Sequence, residues 1–243
     1  MPKRSTQVAI KTISPEKPVN IDHELLYAAS AGDTIKCAYL LGQGANINVC
    51  DKAGRTALMR AARRGHNETV VFLLQSGCAI DLQDSLGDRA LAIAADKGKT
   101  DVVRTLLRFG ANVNAGKDRS RTALLLAAAK GHNEIIELLL KYGASLYEGQ
   151  TENKGPLAAA LHNKHSDTAL LLLRAGAPVN EIDHNGNSVL GMAVTANAEE
   201  VVKYISDSKI FNLHHRNKQG KSILDLAYQL NNPVIINMLE KHK

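Results

Sequence analysis

Two histidine–acid pairs are the first residues of this sequence that could take part in chemistry. His66-Asn67-Glu68 and His132-Asn133-Glu134 have the H-x-E spacing of a zinc deaminase site, where the histidine binds zinc and the glutamate transfers protons. Such a site also requires a P-C-x-x-C segment for the remaining zinc ligands, and the sequence contains none. The two pairs therefore do not predict a catalytic zinc site.

Other candidates for catalysis or metal binding are equally incomplete. His214 and His215 are adjacent on a predicted extended segment, where neighbouring side chains point to opposite sides and would chelate a metal poorly. No G-x-S-x-G elbow, Walker loop or dinucleotide-binding glycine fingerprint occurs. We therefore predict no catalytic residue, no metal site, no cofactor and no enzymatic activity.

The glycines, alanines and leucines recur instead with a period of 33 residues. Leucine follows this period at Leu25, Leu58, Leu91, Leu124, Leu157 and Leu190, and the register then slips by one residue to Leu224. A period kept this strictly indicates one supersecondary unit stacked on copies of itself. The sequence predicts seven units, of which the first and last are atypical, over residues 20–50, 51–83, 84–116, 117–149, 150–182, 183–216 and 217–243.

Each unit has the pattern of two short helices. Hydroxyl residues stand where the first helix would begin, at Thr56, Thr122, Ser188 and Ser222. Glycine would end that helix in the left-handed conformation at Gly65, Gly98 and Gly131. The second helix has apolar residues at helical spacing, and a short extended segment such as Ala111–Asn114 would lead to the next unit.

These residues resemble the ankyrin repeat, whose pattern is roughly D-x-x-G-x-T-P-L-H-x-A-A-x-x-G-H, followed by an apolar second helix and G-A. The resemblance covers about nine-tenths of the chain and implies an all-α ankyrin-repeat solenoid of helix-turn-helix units with short β-hairpin-like loops. It also implies that His66 and His132 make hydrogen bonds to neighbouring backbone. The histidine of T-P-L-H is absent throughout, and proline survives only at Pro156.

The resemblance further implies a non-enzymatic module that binds a protein partner. Ankyrin proteins usually hold partners with the hairpin tips and the exposed ends of the first helices, on the concave side. At these positions the sequence has mostly cationic residues, and we predict that the partner-binding residues are Lys52, Arg55, Arg60, Arg63, Arg64, Asp88, Lys97, Arg119, Arg121, Lys130 and Lys154. Arginine suits bidentate recognition of carboxylates, so an acidic or extended protein segment is the expected ligand.

Arg60 is the most unusual of these residues. Its first-helix position is Tyr27, Ile93, Leu126, Ala159 or Met192 in the other units, and a charge among mostly apolar equivalents often marks a functional site. Alternatively, the Arg60 side chain lies along the groove and pairs with a neighbouring acid. The whole cationic face could likewise be a solvated surface without a specific role. Nucleic acid is a weaker expectation because the face has almost no aromatic residues for stacking.

The composition indicates in which compartment the protein would be found. The chain has 30 Lys and Arg against 24 Asp and Glu, three cysteines without a C-x-x-C pair, and no long apolar run. We expect an intracellular, cytoplasmic protein that is monomeric and does not enter a membrane. Residues 1–19 do not join the period, are polar and contain three prolines, and they predict a flexible N-terminal tail.

Two other roles remain open from the sequence. Ankyrin stacks also occur as effectors that intracellular bacteria deliver into a host cell, which would place the protein in host cytoplasm. The motifs Ala111-Asn-Val-Asn114 and Ala177-Pro-Val-Asn180 resemble those that asparaginyl hydroxylases modify in ankyrin proteins, so Asn114 and Asn180 are candidate modification sites.

Overall fold

The structure is a computed structural model that describes residues 20–116, 121–147, 155–208 and 211–242. The predicted tail, residues 1–19, lies outside these ranges. Fourteen helices lie in the described residues and follow one another in seven pairs: α1 (Ile21–Ala31), α2 (Thr34–Gly42), α3 (Ala57–Arg64), α4 (Asn67–Gln75), α5 (Ala90–Asp96), α6 (Thr100–Arg108), α7 (Ala123–Lys130), α8 (Asn133–Lys141), α9 (Pro156–His162), α10 (Ser166–Arg174), α11 (Val189–Thr195), α12 (Glu199–Ser208), α13 (Ile223–Leu230) and α14 (Pro233–Glu240).

The helix pairs stack in chain order. The first helix of each pair packs on the first helix of the next, from α1 on α3 to α11 on α13. The second helices form a parallel row, from α2 on α4 to α12 on α14. Contacts between neighbouring pairs dominate, as in a solenoid, and the predicted all-α stack is confirmed.

The core is a set of columns that run along the stack. In the second helices the apolar column at the repeat period is buried along its whole length, at Leu40, Leu73, Leu106, Leu139, Leu172, Ile205 and Leu239. In the first helices, paired alanines such as Ala61-Ala62 and Ala94-Ala95 are fully buried, and their small side chains allow neighbouring backbones to approach closely. No helix within the described ranges is long and apolar enough to cross a membrane.

The predicted helix boundaries are confirmed where hydroxyl residues and glycines mark them. The Thr56, Thr122 and Ser188 hydroxyls accept hydrogen bonds from the backbone N–H three residues later, and Ser222 forms a full capping box with Asp225. Gly65 has a φ of 85°, and its N–H donates to the carbonyls of Ala61 and Ala62. Glycine is favoured there because the left-handed conformation strains residues with a Cβ atom.

The predicted extended segments are wrong at two places. Val113 and Asn114 form a turn, with the Ala115 N–H donating to the Asn112 carbonyl, and His214 also lies in a turn. Within the described residues, β pairing in these loops is limited to single antiparallel bridges, Cys50 with Thr56, Ile182 with Ser188 and Arg216 with Ser222. The reason is local: asparagine side chains accept backbone N–H groups two residues later and close the turn.

Polar side chains also connect successive units. The Asn48 side chain accepts the Ala79 N–H at 2.8 Å, and Asn114 accepts the Ser145 N–H at 2.8 Å. The His66 ring lies 3.1 Å from the Ser30 carbonyl oxygen, and the His132 ring lies 3.4 Å from that of Asp96. The role predicted for the Gly-His histidines is therefore confirmed, and both rings are engaged in backbone contacts.

Candidate functional site

A cleft of about 400 Å³ lies on the face made by α3, α5 and the turn between their units. We call it the basic cleft, and it is lined by Ser30, Arg55, Met59, Arg60, Arg63, Arg64, Asp84, Leu86, Asp88, Ile93, Asp96, Lys97 and Arg121. Seven of the eleven residues predicted to bind a partner are therefore brought together in one place. Arg119 and Lys154 lie outside the described residues, and Lys52 and Lys130 are exposed but do not line the cleft.

Arg60 is held by residues of its own chain. Its Nη2 donates to Asp51 Oδ2 at 2.7 Å, and its guanidinium carbon lies 5.8 Å from the centre of the Tyr27 ring, within range of a cation–π contact. Asp51 belongs to the turn before α3, where its Oδ1 also accepts the N–H groups of Ala53 and Arg55. Of the two alternatives for Arg60, the structure shows the pair with a neighbouring acid.

Arg121 is also neutralised within the chain. Its Nε and Nη2 donate to the two carboxylate oxygens of Asp88, each at 2.7 Å, in the bidentate geometry that makes such pairs strong. Asp88 is almost fully buried, and this hydrogen-bonded pair raises the pKa of the Arg121 guanidinium. Lys97 similarly pairs with Asp96 at 2.8 Å. These residues line the cleft but bring little free charge to it.

The positive charge of the cleft that has no acidic partner comes from Arg55, Arg63 and Arg64. None of their guanidinium groups has a hydrogen bond or ion pair to another described residue. Asp84 also lines the cleft, and its Oδ1 accepts the N–H groups of Leu86 and Asp88. The cleft thus presents three arginines that can donate to an incoming ligand.

The repeat register places Arg55 in the same column as a carboxylate that already pairs with another arginine. Arg55, Asp88 and Arg121 occupy the same position in three successive units, at intervals of 33 residues, so they form one column across the face. Arg121 contacts both oxygens of Asp88, whereas the Arg55 guanidinium has no hydrogen bond or ion pair to that carboxylate. Within this column, the charge of Asp88 is therefore paired with Arg121, and that of Arg55 has no partner among the described residues.

Three contributors to the cleft were missed by reasoning from sequence. Asp51 and Tyr27 hold Arg60, and Leu86 places an apolar side chain, 60% exposed, beside the arginines. The register contained a signal for Asp51, because turn acids recur at Asp51, Asp84 and Asp183. It contained none for Leu86, since the neighbouring units have unrelated residues at that position.

The asparagines proposed as modification sites differ in their surroundings. Both ends of the Asn114 amide are used, as the Nδ2 donates to the Gly143 carbonyl and the Oδ1 accepts the Ser145 N–H. Asn180 is exposed and lines a separate cleft of about 340 Å³ with mainly apolar neighbours.

Among the described residues, the side chains of His162, Asp183 and His184 lie close enough together to bind a metal ion. The sequence pattern did not predict a metal site at these residues.

Comparison with known proteins agrees with this architecture. The family model for ankyrin repeats matches residues 25–117, 66–150, 110–183 and 157–243, which together span nearly the whole chain. The chain belongs to the ankyrin-repeat family. Ankyrin-repeat proteins are generally protein-interaction modules and typically non-enzymatic scaffolds.

A solved ankyrin structure is similar over most of its length. The ankyrin repeat domain of human ASB11 is 27% identical, with a TM-score of 0.75, and the alignment covers 90% of this chain and 97% of that one. No curated protein matches the chain in sequence.

Replacing Asp51 by asparagine is expected to destabilise the protein by about 1.5–3 kcal/mol at pH 7, because Arg60 loses a charged hydrogen-bond partner. Although burial acts to raise it, hydrogen bonds from the Arg55 N–H and the Arg60 guanidinium lower the pKa of Asp51 below its usual value near 4. A carboxylate with a lowered pKa stabilises the fold above its unfolded-state pKa and loses that contribution as pH falls through its folded-state pKa.

The difference between wild type and Asp51→Asn should therefore be complete at pH 7 and shrink below about pH 4. Urea unfolding followed by circular dichroism at pH 7 and pH 3 measures it. Asp101→Asn, which changes an exposed acid in α6, serves as the control and should change stability little at either pH. An equally large Asp51→Asn effect at pH 3 would show that the ion pair with Arg60 does not contribute.

Proposed function

We propose that the protein is a non-enzymatic interaction module whose basic cleft binds an acidic segment of a protein partner. The observation that carries the proposal is the set of three arginines, Arg55, Arg63 and Arg64, that line one cleft and have no partner among the described residues. Their neighbours Arg60 and Arg121 are already neutralised, so these three can donate to carboxylates without breaking an existing pair. Arginine forks match carboxylates bidentately.

The lining of the basic cleft also favours protein over nucleic acid as the ligand. None of its lining residues is aromatic, and the Tyr27 ring beside it is in contact with the Arg60 guanidinium, so the described residues of the cleft offer no row of rings on which successive bases could stack. The exposed Leu86 offers apolar contact beside the charges. A segment with several Asp or Glu residues next to one large apolar side chain fits both features.

Selection from a random peptide library on the immobilised protein, in the presence of EDTA, tests this proposal. We expect the enriched peptides to contain clustered Asp and Glu, and their binding to weaken as ionic strength rises because exposed charges are screened. EDTA removes any contribution from bound metal. Enriched peptides that are neutral or basic, or a selection that enriches nothing, would contradict the proposed ligand class.

A further inference from the structure

A cluster of three metal-ligand side chains lies away from the basic cleft. His162 is the last residue of α9, and Asp183 and His184 belong to the turn before α11. His162 Nε2 lies 3.6 Å from Asp183 Oδ2, and the two imidazole ring centres are 5.6 Å apart. The three donor atoms, one from each residue, all lie within 4.8 Å of one another.

Asp183 is held rigidly in this cluster. Its side chain is only 1% exposed. The Oδ1 atom accepts the N–H groups of Asn185 and Asn187 at 2.8 Å each, and Oδ2 accepts the Asn187 amide at 3.0 Å. Asn187 is fixed in turn by the Asn217 amide at 2.9 Å. Ordered hydrogen-bond partners behind a carboxylate are what orient metal ligands in known sites.

The two histidines, in contrast, are exposed and can adjust. Zinc with tetrahedral ligands at about 2.0–2.1 Å requires donor atoms roughly 3.3–3.5 Å apart. The His162–Asp183 distance is already close to this value, and the remaining pairs need to close by at most about 1.5 Å, which imidazole rotation at exposed positions can supply. Exposure also leaves an approach for an aqueous ion.

The repeat does not require the two histidines. The turn acid recurs as Asp51 and Asp84, where it accepts backbone N–H groups, so Asp183 has a structural role of its own. The positions equivalent to His162 and His184 are instead Arg63 and Ser85 three units earlier. Two imidazoles beside a preformed carboxylate are therefore specific to this place in the stack.

We propose that His162, Asp183 and His184 bind a divalent transition metal of the zinc class. Two imidazoles and one carboxylate suit Zn²⁺, and such a set also accepts Co²⁺ and Ni²⁺. The exposed side of the cluster leaves the fourth position to water. This site is independent of the proposed acidic-peptide binding, since neither histidine lines the basic cleft.

Metal titration of the full chain without an affinity tag tests the proposal. The protein carries Cys50→Ser, because Cys50 is an exposed thiol that could bind zinc by itself. Calorimetry with Zn²⁺ and the visible absorption of bound Co²⁺ should both show one saturable site. His162→Ala and His184→Ala should each weaken Zn²⁺ binding at least about 10-fold, the lower end of the effect of losing even an outer-shell partner.

His214→Ala, which removes an exposed histidine outside the cluster, is the matched control and should leave the affinity unchanged. Circular dichroism confirms that each variant is folded. Absence of saturable binding in the wild type would overturn the proposal and leave His162 and Asp183 as a simple pair. Unchanged Zn²⁺ affinity in the His162→Ala, His184→Ala double variant would overturn it as well. These titrations contain no peptide, so their outcome is separate from that of the library selection.

Discussion

Replacing Arg55, Arg63 and Arg64 together by glutamine is expected to weaken binding of a library-selected acidic peptide by on the order of 100-fold or more. Hydrogen bonds to charged groups contribute about 1.5–3 kcal/mol each, and every 1.4 kcal/mol is a tenfold change in affinity. Glutamine is uncharged and shorter than arginine but still donates hydrogen bonds, so the change removes the positive charge together with the guanidinium fork. Fluorescence anisotropy with a labelled peptide measures the affinity.

The stability of this triple variant should stay close to that of wild type. The three guanidinium groups have no partner among the described residues, so no intramolecular pair is broken. The matched control replaces Arg108, Lys141 and Arg174 by glutamine, which removes the same charge from exposed last residues of α6, α8 and α10. If the control variant loses as much affinity as the triple variant, net charge and not the basic cleft determines binding.

Replacing Leu106 by alanine is expected to destabilise the protein by about 2–5 kcal/mol, the usual cost of a cavity in a well-packed core. Leu106 is fully buried in α6, which packs against α4 on one side and α8 on the other. A central unit of a solenoid holds both neighbours, so the cavity weakens two interfaces. Urea unfolding followed by circular dichroism gives the change in unfolding free energy.

Leu82→Ala is the control for that measurement, because Leu82 is exposed in the loop between α4 and α5 and is not part of the core. Its effect should stay below about 0.5 kcal/mol, as for most surface substitutions. A loss of less than 1 kcal/mol for Leu106→Ala would mean that the column of buried residues in the second helices does not hold the stack together.

The fold was predictable because its signals are local and repeated. Each hydroxyl cap, such as Thr56 or Thr122, and each left-handed glycine, such as Gly65, satisfies a requirement of its own helix end, and the period of 33 then repeats the prediction along the chain. The connecting segments were predicted less well. The side chains of Asn112 and Asn212 accept backbone N–H groups and close turns there. The spacing of apolar residues does not predict these turns.

The sequence predicted which charged residues would lie near one another in the candidate site. It did not predict which of them form ion pairs. The register aligned Arg55, Asp88 and Arg121 in one column, yet it could not tell which arginine the central carboxylate pairs with. Arg60 is recognisable as an exception in its column, but its partner Asp51 comes from the preceding turn. Whether two neighbouring charged side chains form an ion pair depends on differences of about an ångström in the positions of their atoms. A residue pattern does not contain that information.

The central claim is that Arg55, Arg63 and Arg64 contact the acidic partner directly. The most direct measurement is a ¹H–¹⁵N spectrum of the arginine Nε–H groups during titration with a selected acidic peptide. We expect the largest shifts at Arg55, Arg63 and Arg64, with Arg108 and Arg174 unchanged. Shifts that are largest at Arg108 and Arg174, with the three cleft arginines unmoved, would contradict the account.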